Sequence, residues 1–443
     1  MARRIWIAAL LLALLAESTL ARAELGPNGS SIQNSDYRID LTQGPILATS
    51  RQTALAGTHV SLADGIEGFV FNPAALAVRM PYSTDDADYG LTGGATFAVS
   101  VRDNDFDNNG RRGFAYNNFV FLTGGAALQY KQCGLGINVD LQRYEIGLFG
   151  AQGQEERAAV MQLAKAHLGT ACSFARDQVV VGTAVRAVGL LFDEPFFGRN
   201  LFANVGFGLE VGALYQPRDR SFRLGLTART PVIGQPLGGA ETTATLSGRG
   251  VYLPSKIELP WEIEAGFAFQ LGPRPLNLSW VHTKMVPLAQ IEAERRIVGG
   301  QRESDTVVAR RILARRHEAI PRGKLLVAAS LLVVGDVRNA VGFESFLAQE
   351  VDRSGEHVTL SPRVGIETEI IPSLLQLRGG SYAEPSRFRT TSARVHGTFG
   401  FDARVLHWTV FNLFPDDTWW RIGAFVDSSR DYLAWGLSAG LWR

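Results

Sequence analysis

The chain has 443 residues, 20% of them charged, and a formal net charge of +1, which argues against a nucleic-acid or strongly acidic partner. Its two cysteines exclude a scaffold held together by many disulfides. The mean hydropathy of +0.02 is too polar for a helical membrane protein, and after the N-terminus no apolar run reaches the roughly 18 residues of a spanning helix.

Residues 1–23 have the pattern of a secretory signal. Arg3 and Arg4 precede an apolar run at residues 5–16, and Ala21-Arg22-Ala23 forms a small-residue cleavage site. The apolar run is too short to span a membrane. We therefore expect a mature chain that begins near Glu24 and leaves the cytoplasm.

Residues 24–87 are rich in Ala, Gly, Ser and Thr and show no clean periodicity. Asn72-Pro73 marks a turn, because proline fixes its own φ and keeps the preceding residue out of the helical region. The segment is too small and too poor in bulky residues to form a core alone. We therefore expect it to fold inside a larger structure.

From about residue 88 to the end, apolar and polar residues alternate with a period of two. In residues 258–271 the apolar face comprises Trp261, Ile263, Ala265, Phe267, Phe269 and Leu271, while the other face carries Glu262 and Glu264. The segments are about 10 to 15 residues long, which suits tilted membrane-crossing strands with one lipid-facing and one polar face. Seven tryptophans at or near the predicted strand ends would form an interfacial girdle: Trp261, Trp280, Trp408, Trp419, Trp420, Trp435 and Trp442.

This pattern predicts an all-β fold, a transmembrane antiparallel β-barrel of the outer membrane at residues 88–443. A literal count gives about 17 strands, but single-chain bacterial barrels have an even number. At least one predicted strand must therefore be a loop or half of a longer strand, and residues 401–413 are the first candidate. Fourteen strands are predicted, with sixteen as the nearest alternative. Such a barrel has a lumen that needs filling, so residues 24–87 are predicted to plug it.

The connections are predicted to alternate between short periplasmic turns and long outer loops. Short turns are expected near Cys133, Asp177, Asp219, Pro273 and Asp336. Long outer loops are expected at residues 102–113, 150–167, 231–256, 286–321 and 350–356. Residues 152–169 and 288–319 have enough helix-forming residues to predict partly helical loops.

Three groups of residues suggest further chemistry. Asp103, Asp105, Asp107 and Asn109 have calcium-loop spacing, but Phe114 stands where an EF-hand needs a bidentate Glu, so a solvated outer loop is preferred over an ion site. Cys133 and Cys172 are expected near the ends of neighbouring strands, either bridged or as two buried thiols. Basic pairs in loop 286–321 would meet a carboxylate ligand or lipopolysaccharide, although the interleaved acidic residues favour a solvent-exposed helix: Arg295, Arg296, Arg310, Arg311, Arg315 and Arg316.

Catalytic patterns are scarce. The chain has no G-x-S-x-G, C-x-x-C, H-E-x-x-H or P-loop motif, and its seven histidines show no metal-ligand spacing. His357 and Ser361 fall on one predicted strand face, which is the only support for an outer-membrane lipid hydrolase. We expect no enzyme activity, no metal and no cofactor.

The run RQTALAGTHVSLADGIEGFVFNPAALA, residues 51–77, resembles the N-terminal hatch of the FadL/TodX family of outer-membrane transporters. Gly57, Asp64 and Asn72-Pro73-Ala74 match the family pattern, whereas Glu67 and Ala75 depart from it. Residues 222–232, 253–271 and 374–388 also resemble the family. Trp442-Arg443 departs from the terminal aromatic usual for assembly.

The resemblance implies a fourteen-stranded barrel whose N-terminal hatch is shaped by Asn72, Pro73 and Ala74. It implies passive uptake of long-chain fatty acids or other hydrophobic small molecules, released by a hatch rearrangement, typically sideways into the membrane. The surroundings would be outer-membrane lipid and lipopolysaccharide, and a monomer is compatible with the sequence. A sister group with a similar hatch motif serves as assembly or shuttle partner for secreted surface proteins, and this alternative stays open.

Overall fold

The computed structural model describes most of the chain outside the predicted signal, which lies outside the described residues. The described residues are 24–79, 86–98, 105–110, 114–149, 155–194, 199–218, 220–237, 242–246, 249–278, 280–298, 301–321, 323–411 and 418–442.

Fourteen antiparallel strands form a closed barrel in the described part of the chain. They are β2 (Ala87–Ala98), β3 (Phe114–Tyr130), β4 (Cys133–Phe149), β5 (Glu155–Phe174), β6 (Val179–Glu194), β7 (Arg199–Tyr215), β8 (Phe222–Arg229), β13 (Glu262–Leu271), β16 (Leu325–Val334), β18 (Thr359–Ile371), β19 (Leu375–Glu384), β20 (Arg394–His407), β21 (Trp419–Ser429) and β22 (Tyr432–Leu441). Because β2 pairs with both β3 and β22, the barrel has no open edge. The predicted fold and strand number are confirmed. Residues 401–413, the candidate for half of a longer strand, contain the second half of β20.

The remaining strands lie outside the barrel wall. Four of them extend the sheet at one end: β1 (Arg38–Asp40), β9 (Val232–Pro236), β12 (Lys256–Leu259) and β17 (Ala340–Val341). β10 (Thr243–Leu246) pairs with β11 (Arg249–Tyr252), and β14 (Ile297–Val298) pairs with β15 (Gln301–Arg302). The α-helices are α1 (Ser50–Ala54), α2 (His59–Leu62), α3 (Gly65–Phe69), α4 (Leu288–Glu294), α5 (Asp305–Glu318) and α6 (Phe343–Ala348), and Pro73–Ala77 and Thr283–Met285 are 3₁₀ helices.

The alternation of side chains explains the barrel. On β13, Ile263, Phe267 and Leu271 are exposed on the outer surface, while Glu264 and Ala268 are buried inside. Tyr130, Phe174 and Tyr215 end β3, β5 and β7 at one rim and are exposed there. The outer surface is therefore apolar with aromatic residues at one border, as expected of a lipid-facing wall.

Strand direction defines two ends of the barrel. At the turn end, short connections join β3 to β4 and β5 to β6, and at the loop end β1, β9, β12, β17 and α6 form a cap. The connection between Leu271 and Leu325 lies at the turn end, because these two residues are paired there. The predicted outer loop at 286–321 is thus wrong, as is the short turn near Asp336, which begins a loop-end connection.

These two errors have one cause. A short turn near Pro273 followed by an outer loop at 286–321 requires a strand between them, and the described residues of this connection contain only the 3₁₀ helix Thr283–Met285 and the α4–α5 region. Since antiparallel strands alternate in direction, one falsely predicted strand reverses the end assigned to the next connections. Trp280 accordingly lies in this connection and at no strand end.

The two helical predictions have different outcomes. Residues 288–319 contain α4 and α5, as predicted, although Gly299-Gly300 lie outside the described residues. Residues 155–169 are instead part of β5, with Met161 and Leu163 buried and Leu168 exposed, so the predicted outer loop at residues 150–167 is also wrong over residues 155–167. Pairing with β4 and β6 here outweighs helix propensity. No helix among the described residues is long and apolar enough to cross a membrane.

Cys133 and Cys172 are directly opposite each other on β4 and β5 and are joined by a disulfide. We predict that replacing both with serine leaves the barrel folded but lowers its free energy of unfolding by about 2–4 kcal/mol, because the bridge restricts the unfolded chain. Urea unfolding of the oxidised protein and of the double variant would measure this. An equal midpoint for both proteins would contradict it.

Candidate functional site

Residues 42–79, called the lumen segment here, pack against the inner wall of the barrel. α1 contacts β19 to β22, α2 contacts β8, β13 and β16, and α3 contacts β2, β3 and β4. The 3₁₀ helix Pro73–Ala77 contacts β3 to β7. A segment that cannot form its own core thus uses almost the whole circumference of the barrel as its core.

The Asn-Pro-Ala motif joins the lumen segment to β7. The Asn72 Oδ1 accepts a hydrogen bond of 3.0 Å from the Ala74 N–H and caps the 3₁₀ helix, in which Pro73 is the first residue. The Asn72 Nδ2 donates to the carbonyl oxygens of Val60 (2.8 Å) and Ala213 (3.0 Å). All three motif residues are buried. The motif therefore fixes a turn and binds it to the wall.

Glycines of the wall allow this close approach. A Cβ built on Gly182 would lie 2.5 Å from the Pro73 carbonyl carbon, and one on Gly212 would lie 2.7 Å from the Pro73 Cδ. In the lumen segment itself, Gly57 has φ +70, which favours glycine, and a Cβ there would lie 2.8 Å from the Arg363 Nη1.

Three charged residues of the lumen segment form ion pairs with the wall. Arg51 pairs with Glu367 on β18 (Nε to Oε2, 3.1 Å) and with Asp64 (3.1 Å). Asp64 also pairs with Arg223 on β8 at 2.6 Å, and Glu67 pairs with Arg421 on β21. Every carboxylate and guanidinium is at least partly buried, so removing one partner would leave a desolvated charge.

The pKa values in the lumen segment reflect this environment. Burial opposes ionisation of Asp64, but Arg223 and Arg51 hold the pKa of its carboxyl below the usual value. Burial, together with Arg51, lowers the pKa of His59 to about 3. The His59 ring is buried beside Phe71, and its two nitrogens have no hydrogen-bond partner. His59 is therefore neutral at physiological pH.

A cavity of about 200 Å³ lies on each face of the lumen segment. The lower cavity, toward the turn end, is lined by charged residues such as Arg51, Glu67 and Arg274. The upper cavity, toward the loop end, is lined by Ile46, Leu47, Phe71, Phe121 and Leu163. Charged residues of the wall also line it: Asp140, Lys165, Arg186, Arg229, Glu262, Glu264 and Arg363. The upper cavity is the more amphipathic of the two.

Beyond the upper cavity, inward-facing apolar residues continue toward the loop end. Phe192 on β6 and Phe202 on β7 are stacked with ring centroids 5.5 Å apart, and Phe343 and Phe346 of α6 pack on Phe192. Phe121 and Leu163 belong to the same buried apolar cluster. The loop-end half of the lumen thus contains a buried apolar cluster beyond the upper cavity, whereas both cavities are lined in part by charged residues.

The turn-end connection closes part of the lower cavity. Pro275, Leu276 and His317 line this cavity. Asn277 is buried, accepts a 2.8 Å hydrogen bond from the Arg223 Nε, and donates to the Phe222 carbonyl oxygen at 2.8 Å. The lower cavity is therefore bounded by the lumen segment on one side and by this connection on another.

The predicted calcium-like loop is not solvated. Asp105 and Asn109 are buried, and the Asn109 Nδ2 donates to the carboxylates of Glu344 (2.5 Å) and Asp107 (3.2 Å). Burial and the carboxylates of Glu344 and Asp105 raise the pKa of Asp107 well above its usual value. No group of three or more His, Cys, Asp or Glu side chains among the described residues could hold a metal ion. Asp103 lies outside the described residues, so the less favoured alternative of an ion site that includes Asp103 is untested.

Two other sequence-based hypotheses concern the basic pairs and a hydrolase. The basic pairs lie in the turn-end connection, and two of their arginines pair with acidic residues of the same connection: Arg295 pairs with Asp305 at 2.6 Å, and Arg311 pairs with Glu303. The hydrolase pair is not formed, since His357 is exposed while the Ser361 hydroxyl is buried and donates to the Ala383 carbonyl oxygen at 2.6 Å.

Sequence reasoning singled out Gly57, Asp64 and the Asn-Pro-Ala motif, and the structure places all of them in the lumen segment. It missed the partners Arg51, Arg223 and Arg421. The alternation along β8 and β21 places Arg223 and Arg421 on the polar, inward face, so the sequence could have identified both as lumen-facing charges. Their pairing with Asp64 and Glu67 depends on how the lumen segment folds.

No protein-family model matches this chain, and no curated protein matches it. Among solved structures, the chain is similar to a TodX deltaS2S3 mutant monoaromatic hydrocarbon channel, with a TM-score of 0.49 and 12% identity over 90% of this chain and 98% of that one. It is also similar to the CymD monoaromatic hydrocarbon channel, with a TM-score of 0.48 and 9% identity over 90% of this chain and 97% of that one. At these scores, the assignment of the fold rests on the strand pairings described above.

Proposed function

We propose that this protein is an outer-membrane channel of the FadL/TodX type for passive uptake of hydrophobic small molecules, such as aromatic hydrocarbons or long-chain fatty acids. The observation that carries the proposal is the buried apolar cluster of the loop-end lumen, which reaches the upper cavity through Phe121 and Leu163. An apolar solute that enters this region leaves water without losing hydrogen bonds.

In this proposal the lumen segment is the hatch. Its ion pairs with three sides of the wall hold it across the lumen, and a rearrangement of these contacts would let the solute pass. The charged lower cavity and the turn-end connection oppose passage of an apolar solute straight to the periplasm, which favours lateral release into the membrane. No step of this route needs a reacting residue or a cofactor.

The alternative role as a shuttle for secreted surface proteins predicts a lumen without an apolar pocket. The buried phenylalanine cluster and the upper cavity favour small-molecule transport over that role.

The signal peptide remains a prediction from the sequence and agrees with an outer-membrane location.

Uptake of labelled toluene and oleate tests the proposal. The full chain would be expressed in a host that lacks its own fatty-acid transporter, and we expect uptake clearly above that of the empty host. Leu163→Gln should lower uptake several-fold, because it places an amide in the buried apolar cluster where that cluster borders the upper cavity.

The matched control is Leu237→Gln, since Leu237 is 62% exposed at the loop end and should tolerate an amide. Heat-shifted gel mobility would show that each barrel is folded. A folded wild-type barrel that passes neither probe, or equal uptake by the two variants, would contradict the proposal.

A further inference from the structure

The turn-end connection at residues 272–324 has a compact structure of its own. It leaves β13 at Gly272, whose φ of +106° favours glycine, and it returns to the wall at Gly323, just before β16. Between these points its helices pack around a small apolar core: Val286, Ile291, Val308, Ala309, Ile312 and Leu313. A connection with its own core can behave as one cooperative unit, so contacts at a few positions can hold the whole of it in place.

The first attachment of this connection to the barrel is the loop at residues 274–278. The Asn277 side chain is buried, and its Nδ2 donates to the Pro217 carbonyl oxygen at 2.8 Å. Its Oδ1 accepts from the Arg223 Nε at 2.8 Å, and the Leu276 carbonyl oxygen accepts from the Arg223 Nη2 at 3.3 Å. Because buried polar groups need partners, these hydrogen bonds fix the loop to the wall.

The same arginine also binds the lumen segment. The Arg223 Nη1 donates to the Leu62 carbonyl oxygen and to the Asp64 Oδ1, each at 2.6 Å. Leu276 adds an apolar contact, because it packs against a cluster that includes Leu55 and Leu62 of the lumen segment. The lumen segment and the turn-end connection therefore share one wall residue and one apolar cluster.

The second attachment lies where β2 begins, on the side of the fourteen-stranded barrel opposite β13. Arg79, the last residue of the lumen segment, lies over the Trp280 ring, with its guanidinium carbon 4.3 Å from the ring centroid. The His282 Nδ1 accepts from the Lys284 N–H at 2.9 Å, so its Nε2 carries the proton and donates to the Asp86 Oδ1 at 2.7 Å. The connection thus crosses the turn-end mouth of the barrel and is attached on both sides.

We propose that the turn-end connection is an autoinhibitory brace, which holds the lumen segment closed and must loosen before that segment can rearrange. Both attachments involve the lumen segment, one through Arg223 and Leu276 and the other through Arg79. A displacement of the lumen segment toward the turn end has to break these contacts or carry the connection with it. This inference rests on the proposed role of the lumen segment as the hatch, and it adds a second element that controls the hatch.

The brace has a thermodynamic consequence. Coupling between two elements is reciprocal, so loosening the connection should loosen the lumen segment, and loosening the lumen segment should loosen the connection. A connection that only fills space below the barrel would loosen alone.

Asn277→Ala tests the coupling from the side of the connection. All hydrogen bonds of the Asn277 side chain go to the wall, so the substitution touches no residue of the lumen segment directly. Hydrogen exchange would be measured on the full-length protein in lipid nanodiscs without any solute. We expect exchange in residues 50–69 to become faster by about fivefold or more. Leu276→Ala keeps the polar attachments and should act in the same direction.

Gly212→Leu tests the coupling from the opposite face of the lumen segment. Gly212 lies on β7 against Asn72 and Pro73, far along the barrel wall from the start of β2. If the two elements loosen together, this variant should also speed exchange in residues 280–294 of the connection.

The control is Ile297→Ala, because Ile297 belongs to the same connection but is 71% exposed and should leave the lumen segment unchanged. Heat-shifted gel mobility would show that each barrel is folded. Unchanged exchange in residues 50–69 of folded Asn277→Ala and Leu276→Ala would overturn the brace, whatever the uptake assays show. Coupled exchange in a barrel that takes up neither toluene nor oleate would support the brace and overturn the transport proposal alone.

Discussion

Gly212→Leu is expected to open the barrel by pushing the Asn-Pro-Ala motif away from β7. Gly212 lies directly beneath Asn72 and Pro73, and the backbone of β7 is fixed by pairing with β6 and β8. The wall therefore cannot yield, and the 3₁₀ helix Pro73–Ala77 must move. The hydrogen bond from Asn72 to the Ala213 carbonyl oxygen would be lost with it.

Conductance in planar bilayers measures this effect. The wild-type barrel should conduct ions poorly, and Gly212→Leu should raise the conductance at least several-fold. Gly124→Leu is the matched control, because a Cβ on Gly124 meets no atom within 4 Å and the residue faces outward on β3. Equal conductance of the two folded variants would show that the motif does not seal the lumen.

Asp64→Ala is expected to release the lumen segment from β8. The substitution leaves the Arg223 guanidinium buried with neutral acceptors only, which are Asn277 and the carbonyl oxygens of Leu62 and Leu276. It also removes one of the two carboxylate partners of Arg51. Leaving a buried charge without its partner costs about 3–5 kcal/mol. The expected result is faster hydrogen exchange in residues 50–79 and higher conductance.

The double variant Asp64→Ala/Arg223→Met should recover part of this loss, because it removes the unpaired charge as well. Asp36→Ala is the control, since Asp36 is exposed at the loop end. A double variant that exchanges faster than Asp64→Ala would contradict the ion-pair explanation.

The lowered pKa of Asp64 sets the direction of a pH effect. Because the carboxyl pKa in the folded protein is below its ordinary value of about 3.9, the stabilisation is complete above that value and is lost as the pH falls through the folded pKa. The wild-type barrel should therefore stay closed from pH 7 to about pH 4 and open only below it. Opening near pH 6 would indicate that another group controls the lumen segment.

The sequence predicted those features that depend on local pattern. Alternation on segments such as residues 258–271 indicates which side chains face lipid, and the even-strand rule limits an ambiguous count of about 17 to fourteen or sixteen. The composition of residues 24–87 indicates a segment that needs an external core. The Asn-Pro turn is local for the same reason, since proline restricts only its own residue and the one before it.

The tertiary structure alone decided which distant residues meet and which end each connection occupies. The side-chain period along one strand carries no information about which residues of another segment it meets. The pairing of Asp64 in the lumen segment with Arg223 on β8 therefore follows only from the folded chain. The end of a connection depends on counting every preceding strand, so one false strand after Leu271 misplaced the long connection at residues 272–324. Physically, alternation is a property of neighbours in the chain, whereas charge matching and barrel orientation are properties of the closed sheet.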